Sequence, residues 1–174
     1  MITIITGTNR PASNSRAVAN LYARLLEQHK QPHQILDLAD LPADFTSSAL
    51  YDNIGTNEAF NQLSSLIGSS DKFVFVVPEY NGSFPGVLKA FIDGLAYPNT
   101  FRNKKAALVG ISSGVQGSGL AMSHLTDIFN YLGMHVLALK PRLAQIEKHF
   151  DGTAITNELY LELLNQQIDQ FIHF

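Results

Sequence analysis

Short apolar runs and amphipathic stripes alternate along the chain. Ile2 to Thr6 (ITIIT) is a β-branched run that stops at Gly7, as a strand buried on both faces does. After a polar loop, Val18, Leu21, Tyr22, Leu25 and Leu26 recur at helical spacing and form one apolar stripe. Gln34 to Leu38 (QILDL) predicts a second strand, while Leu41 to Asn57 carries few periodic signals and reads mostly as loop. Phe60, Leu63 and Ile67 mark the next helix, ended by Gly68-Ser69-Ser70. Lys72 to Val77 (KFVFVV) predicts the strongest strand, terminated by Pro78. Leu88, Phe91, Ile92 and Leu95 predict a helix that Pro85 opens near its first turn. Lys104 to Ser112 predicts a fourth strand. Leu125, Ile128, Phe129 and Leu132 predict a helix, and His135 to Leu139 a fifth strand. From Thr156 onward, Leu161, Leu164, Ile168 and Phe171 share one face of a final packed helix.

Five strands alternating with helices require crossover connections and hence a parallel sheet. The simplest architecture is a doubly wound three-layer sandwich. Its ligand belongs beyond the carboxyl ends of strands one, three and four, at the topological switch point. With 174 residues, 45% hydrophobic and 16% charged, the chain has enough apolar material for one domain over residues 1–174 with a sizeable core. The absence of cysteine removes disulfides, thiolate metal sites and cysteine nucleophiles. A formal net charge of −3 without like-charge blocks offers no basic stripe to nucleic acid or to an anionic membrane. The apolar start at Met1 to Ile5 is too short for a signal peptide or a spanning helix, so a cytoplasmic protein is expected.

Three loops carry the candidate chemistry. The first, Gly7-Thr8-Asn9-Arg10-Pro11-Ala12-Ser13-Asn14-Ser15, runs from a strand into a helix. Its hydroxyls, a helix start with free N–H groups and the Arg10 guanidinium all suit an anion. Ser13 or Ser15 would also serve as an ordinary helix cap, but one cap explains only one of these hydroxyls. A P-loop would need Gly-Lys-Ser/Thr, and a dinucleotide fingerprint would need three glycines where only Gly7 stands. A response-regulator site would need acidic residues where the chain has Thr6 and Gly7. A terminal phosphomonoester such as that of FMN fits best among these. The second loop, Pro78-Glu79-Tyr80-Asn81-Gly82-Ser83-Phe84-Pro85-Gly86, can aim backbone N–H groups at the edge of a flat ring, or equally can be a rigid turn. The third, Ser112-Ser113-Gly114-Val115-Gln116-Gly117-Ser118-Gly119, has glycines that permit close backbone approach to a ligand, or a mobile connection. All three fall at one edge of the expected fold.

These residues resemble the NADPH-dependent FMN reductases of flavodoxin-like fold, a family that includes quinone, azo-dye and chromate reductases. Gly7, Thr8, Arg10, Ser13 and Ser15 match its Gly-Ser-x-Arg-x-x-Ser-x-Asn/Ser/Thr pattern, with Thr8 in place of the commoner serine. Pro78 to Asp93 (PEYNGSFPGVLKAFID) matches its second signature almost throughout. Similarity of spacing runs from residue 2 to about residue 143. The resemblance implies a flavodoxin-like α/β sandwich, with a five-stranded parallel sheet in the order 2-1-3-4-5 and helices on both faces. It implies that Thr8, Arg10, Ser13, Asn14 and Ser15 hold the FMN phosphate. Pro78, Glu79, Tyr80, Asn81 and Gly82 would line the isoalloxazine, largely through backbone atoms. Ser113 and Gly114 would close the dimethylbenzene or ribityl side. Gly82 stands where many relatives carry a larger residue, and Gly117-Ser118-Gly119 interrupts a frequent Gly-Gly pair.

The implied activity passes hydride from NADPH or NADH through bound FMN to a small-molecule acceptor such as free flavin or a quinone, with ping-pong kinetics. The chain shows no convincing nucleophile–base constellation and no paired carboxylates, and its six histidines lack metal-ligand spacing, so no metal is expected. An FMN-binding electron carrier without NAD(P)H turnover is the alternative. Arg10 and the mild net charge speak against it, since such carriers pair an arginine-free loop with a strongly acidic face. The resemblance also implies a homodimer or tetramer, with Phe84 and the helix from Gly86 to Tyr97 as the expected contact surface.

Overall fold

A computed structural model describes residues 1–174. In chain order the elements are β1 (Ile2–Thr6), α1 (Asn14–Gln28), β2 (His33–Asp37), α2 (Phe45–Ser48), α3 (Glu58–Gly68), β3 (Lys72–Pro78), α4 (Gly86–Asp93), β4 (Lys105–Ile111), α5 (Gly119–Tyr131), β5 (His135–Val136), β6 (Arg142–Leu143), α6 (Ile146–His149) and α7 (Glu158–His173). The sheet is parallel in the order β2-β1-β3-β4-β5, and β6 pairs with β4 on the same edge as β5. Every residue of β1 is buried, and alternation along the strands splits the core in two. Ile4, Val74, Val76 and Val109 face α1 and α7, whereas Ile5, Phe73, Phe75 and Leu108 face α3, α4 and α5. Burial on both faces is why these strands read as continuous apolar runs.

Leu41 to Asn57 is mostly loop, as expected, with α2 and a 3-10 turn at Tyr51–Asn53 set into it. Phe45 is anchored there by stacking on Phe60 at 6.0 Å. The fifth strand does not run from His135 to Leu139. It pairs with Lys105 and Ala106 over His135–Val136, leaves the ladder, and returns as β6 opposite Gly110 and Ile111. Pro141, which has no N–H to donate, precedes the return.

The gap in that ladder is filled by one side chain. Gln167 of α7 is fully buried and donates Nε2 to the carbonyls of Leu108 and Leu139, both at 2.9 Å. Its Oε1 accepts from the Tyr22 hydroxyl at 3.1 Å, and burial pushes that phenol far above its ordinary range. Gln167→Leu would orphan the buried Leu108 carbonyl, the half-buried Leu139 carbonyl and a buried phenol together. It is expected to cost about 3 kcal/mol in urea unfolding. A loss under about 1 kcal/mol would show that water can replace the amide.

Candidate functional site

The loops after β1, β3 and β4 open at the carboxyl edge of the sheet. The first leaves β1 at Gly7, whose N–H donates to the Val76 carbonyl at 2.8 Å. A Cβ there would lie 2.8 Å from the same oxygen, so only glycine lets the chain leave the strand this close to β3. Thr8 is buried, and its hydroxyl oxygen accepts from the Arg10 N–H and shares a 3.0 Å hydrogen bond with the Tyr80 hydroxyl. That bond ties the first loop to the second.

The second loop turns on Asn81 and Gly82, with φ of +52° and +76°. Tyr80 and Ser83 exchange both backbone hydrogen bonds, at 2.8 and 3.1 Å. This is a two-residue type I′ turn, for which Asn-Gly is the strongest sequence signal. The same conformation gives a physical reason for glycine at position 82. Pro85 caps α4 as expected, while Phe84 is half-buried against the core. In the third loop, Ser112 donates to the Gly114 carbonyl and accepts from the Gly117 N–H, which fixes the turn.

Residues of all three loops line one cleft of about 320 Å³. Thr8, Arg10, Ser13, Asn14, Ser15, Pro78, Glu79, Tyr80 and Ser113 are brought together there. Asn81 and Gly82 sit at the tip of their turn, outside its walls, as does Gly114, whose carbonyl faces back into its own loop. Ala12 and Ser112, members of the candidate loops given no role of their own, line the cleft as well, as do Ile111, Ile146 and Glu147, which sequence reasoning passed over. Glu147 accepts hydrogen bonds from Ser113 at 2.6 Å and from Asn14 at 3.3 Å. The Ser113 bond, with Glu147's own backbone N–H, holds its carboxyl below the usual carboxylate range. A larger groove of about 630 Å³ between α4 and α5 is lined by Ile92, Leu95, Phe101, Ile128 and Leu132 among others. It is mostly apolar and lacks the donor cluster of the smaller cleft, which is where polar ligand chemistry is concentrated.

The helix start divides its serines between two tasks. Ser13 caps α1, accepting from the Arg16 N–H at 3.2 Å. Ser15 is not a cap. Its hydroxyl is buried and has no hydrogen-bond partner, and the N–H groups of Asn14 and Ser15 make no backbone hydrogen bond. A buried hydroxyl without a partner costs about 1–3 kcal/mol, so a group that accepts from it stabilises the cleft.

A sequence model of the NADPH-dependent FMN reductases matches residues 1–141. The chain belongs to that family. An NAD(P)H-dependent FMN reductase of Pseudomonas aeruginosa is 32% identical over 135 residues, spanning 72% of each chain. The FMN-dependent NADPH-azoreductase of Staphylococcus saprophyticus is 29% identical over 179 residues, spanning 98% of this chain and 93% of its own. Among solved structures, FerB of Paracoccus denitrificans, a flavoenzyme NAD(P)H:(acceptor) oxidoreductase, superposes with a TM-score of 0.81 at 26% identity. That match covers 99% of this chain and 94% of FerB. The fold is therefore flavodoxin-like, and the protein is an oxidoreductase whose cofactor chemistry is that of FMN with NAD(P)H.

The cleft suits such a reductase chemically. An FMN phosphate needs several converging donors, and the first loop supplies the Ser15 hydroxyl, two unengaged helix N–H groups and Arg10. None of the chain's ion pairs involves Arg10, so its guanidinium is available for bidentate contact.

Proposed function

We propose that residues 1–174 act as one FMN-binding domain that reduces a small-molecule acceptor, a quinone or free flavin, at the expense of NADPH or NADH. The observation that carries the assignment of the cleft is Ser15, a buried hydroxyl left without a partner at a helix N-terminus. In this reading Thr8, Arg10, Ser13, Asn14 and Ser15 hold the phosphate. The Asn81 and Gly82 N–H groups, which make no hydrogen bond within the chain, are offered to the polar edge of the isoalloxazine. Pro78, Glu79 and Tyr80 line its plane, and Ser113 with Gly114 closes the ribityl or dimethylbenzene side. Bound FMN supplies the hydride-accepting and hydride-donating chemistry. The chain's own contribution is position, with Tyr80 held by Thr8 and the third loop held by Ser112. Quenching of FMN fluorescence on titration into the flavin-free protein is expected to saturate at one FMN per chain. Absence of quenching would contradict the assignment.

The working form in this reading is a cytoplasmic homodimer. No helix is long and apolar enough to cross a membrane. Tyr97 and Tyr131 are 69% and 79% exposed beside the apolar groove between α4 and α5, a face that a second copy would cover. Tyr131→Asp is expected to halve the mass measured by light scattering. An unchanged dimer mass would move the contact elsewhere.

A further inference from the structure

The cleft carries a negative charge in the place proposed for a phosphate. Glu147 lies on α6, just beyond β6, and a single carboxylate oxygen accepts from Ser113 Oγ at 2.6 Å and Asn14 Nδ2 at 3.3 Å. One side chain thus joins the loop after β1 to the loop after β4. It is not a counter-ion. The chain's ion pairs are Arg16–Asp37, His29–Asp169, His33–Glu27 and Lys89–Asp93, and neither Glu147 nor Arg10 takes part in any of them. Arg10 and two carboxylates, Glu79 and Glu147, therefore line the same cleft without forming an ion pair. The donor that Glu147 engages, the Asn14 amide, adjoins the unpartnered Ser15 hydroxyl at the start of α1. Two anions cannot both use the Asn14 amide at short range without repelling each other.

Resting on the assignment of this cleft to FMN, we propose that Glu147 is an internal stand-in for the flavin phosphate. Its carboxylate holds the Asn14 donor in the flavin-free protein and gives it up when the phosphate enters. In doing so it sets how strongly the cleft prefers FMN over its phosphate-free analogue, riboflavin. The hydrogen bond from Ser113 shifts the carboxyl pKa downward and so favours its charged form. Glu147 is thus a specificity-determining residue on the tail, outside the loops that hold the rest of the site.

The test is a fluorescence titration of flavin-free wild type and Glu147→Gln with FMN and, separately, with riboflavin. The glutamine keeps the size and removes the charge. FMN affinity is expected to rise about tenfold, the effect of one like charge nearby in a partly screened site, while riboflavin affinity changes less than about twofold. Equal weakening for both flavins would mean that the carboxylate accepts from ribityl hydroxyls or braces the loops, and would overturn the proposal. Unchanged FMN affinity would overturn it too. Wild type that binds neither flavin would overturn the FMN assignment itself and this proposal with it. When wild type binds FMN, the comparison with Glu147→Gln bears on the role of Glu147 alone.

Discussion

Ser15→Asp is expected to abolish FMN binding, at some cost in stability, since Ser15 is buried. Ser15 is at the second position of α1, where the helix dipole and the unengaged N–H groups offset part of the cost of burying a carboxylate. The same carboxylate would stand, buried, where the phosphate is proposed to accept a hydrogen bond. Two like charges about 4 Å apart at an effective dielectric of about 20 repel by about 4 kcal/mol. That corresponds to roughly a thousandfold loss of affinity. Riboflavin, lacking the phosphate, should lose much less. The comparison is made by titrating both flavins into the wild type and the variant, with a thermal melt to verify folding. Near-wild-type FMN affinity in a folded Ser15→Asp protein would place the phosphate elsewhere.

Phe75→Ala is expected to be the most damaging core truncation. Phe75 is fully buried on the central strand β3, with its ring 4.5 Å from that of Phe129 and 6.4 Å from that of Phe73. Phe73 in turn meets Phe101 edge-on at 5.6 Å, so the rings between the sheet and α5 form a linked set that cannot collapse onto a void one side chain at a time. Such truncations cost about 3–5 kcal/mol, a large share of the roughly 5–15 kcal/mol that stabilises a typical domain. The melting temperature should fall by about 10 °C for a chain of this size. A fall of under about 3 °C would mean that the aromatic layer repacks freely.

The features legible in the sequence were those encoded locally. The ITIIT and KFVFVV runs mark strands because both of their faces are buried. The second loop reads equally as a rigid turn, and Asn81-Gly82 makes that turn because positive φ is needed there. The first loop reads as an anion site, the role proposed for it here, because serine, threonine and arginine crowd one helix start. What escaped depends on tertiary neighbours. Leu137 to Leu139 looks like strand, yet the ladder breaks there, and the Leu139 carbonyl, with that of Leu108 on β4, accepts from Gln167, a polar residue on an otherwise apolar helix face. Nothing local marks Gln167 as a partner of Leu108 and Tyr22. Glu147 escaped for a related reason. Only the return of the chain as β6 carries it to the carboxyl edge of the sheet, and a fifth strand drawn without that return leaves it in an unassigned tail.

The most direct test of the central claim is an absorbance spectrum of the FMN-loaded protein, taken without oxygen before and after addition of NADPH. The flavin bands should bleach, and return when a quinone is added. Bound flavin that stays oxidised in the presence of both NADPH and NADH would contradict a reductase and leave an electron carrier in its place.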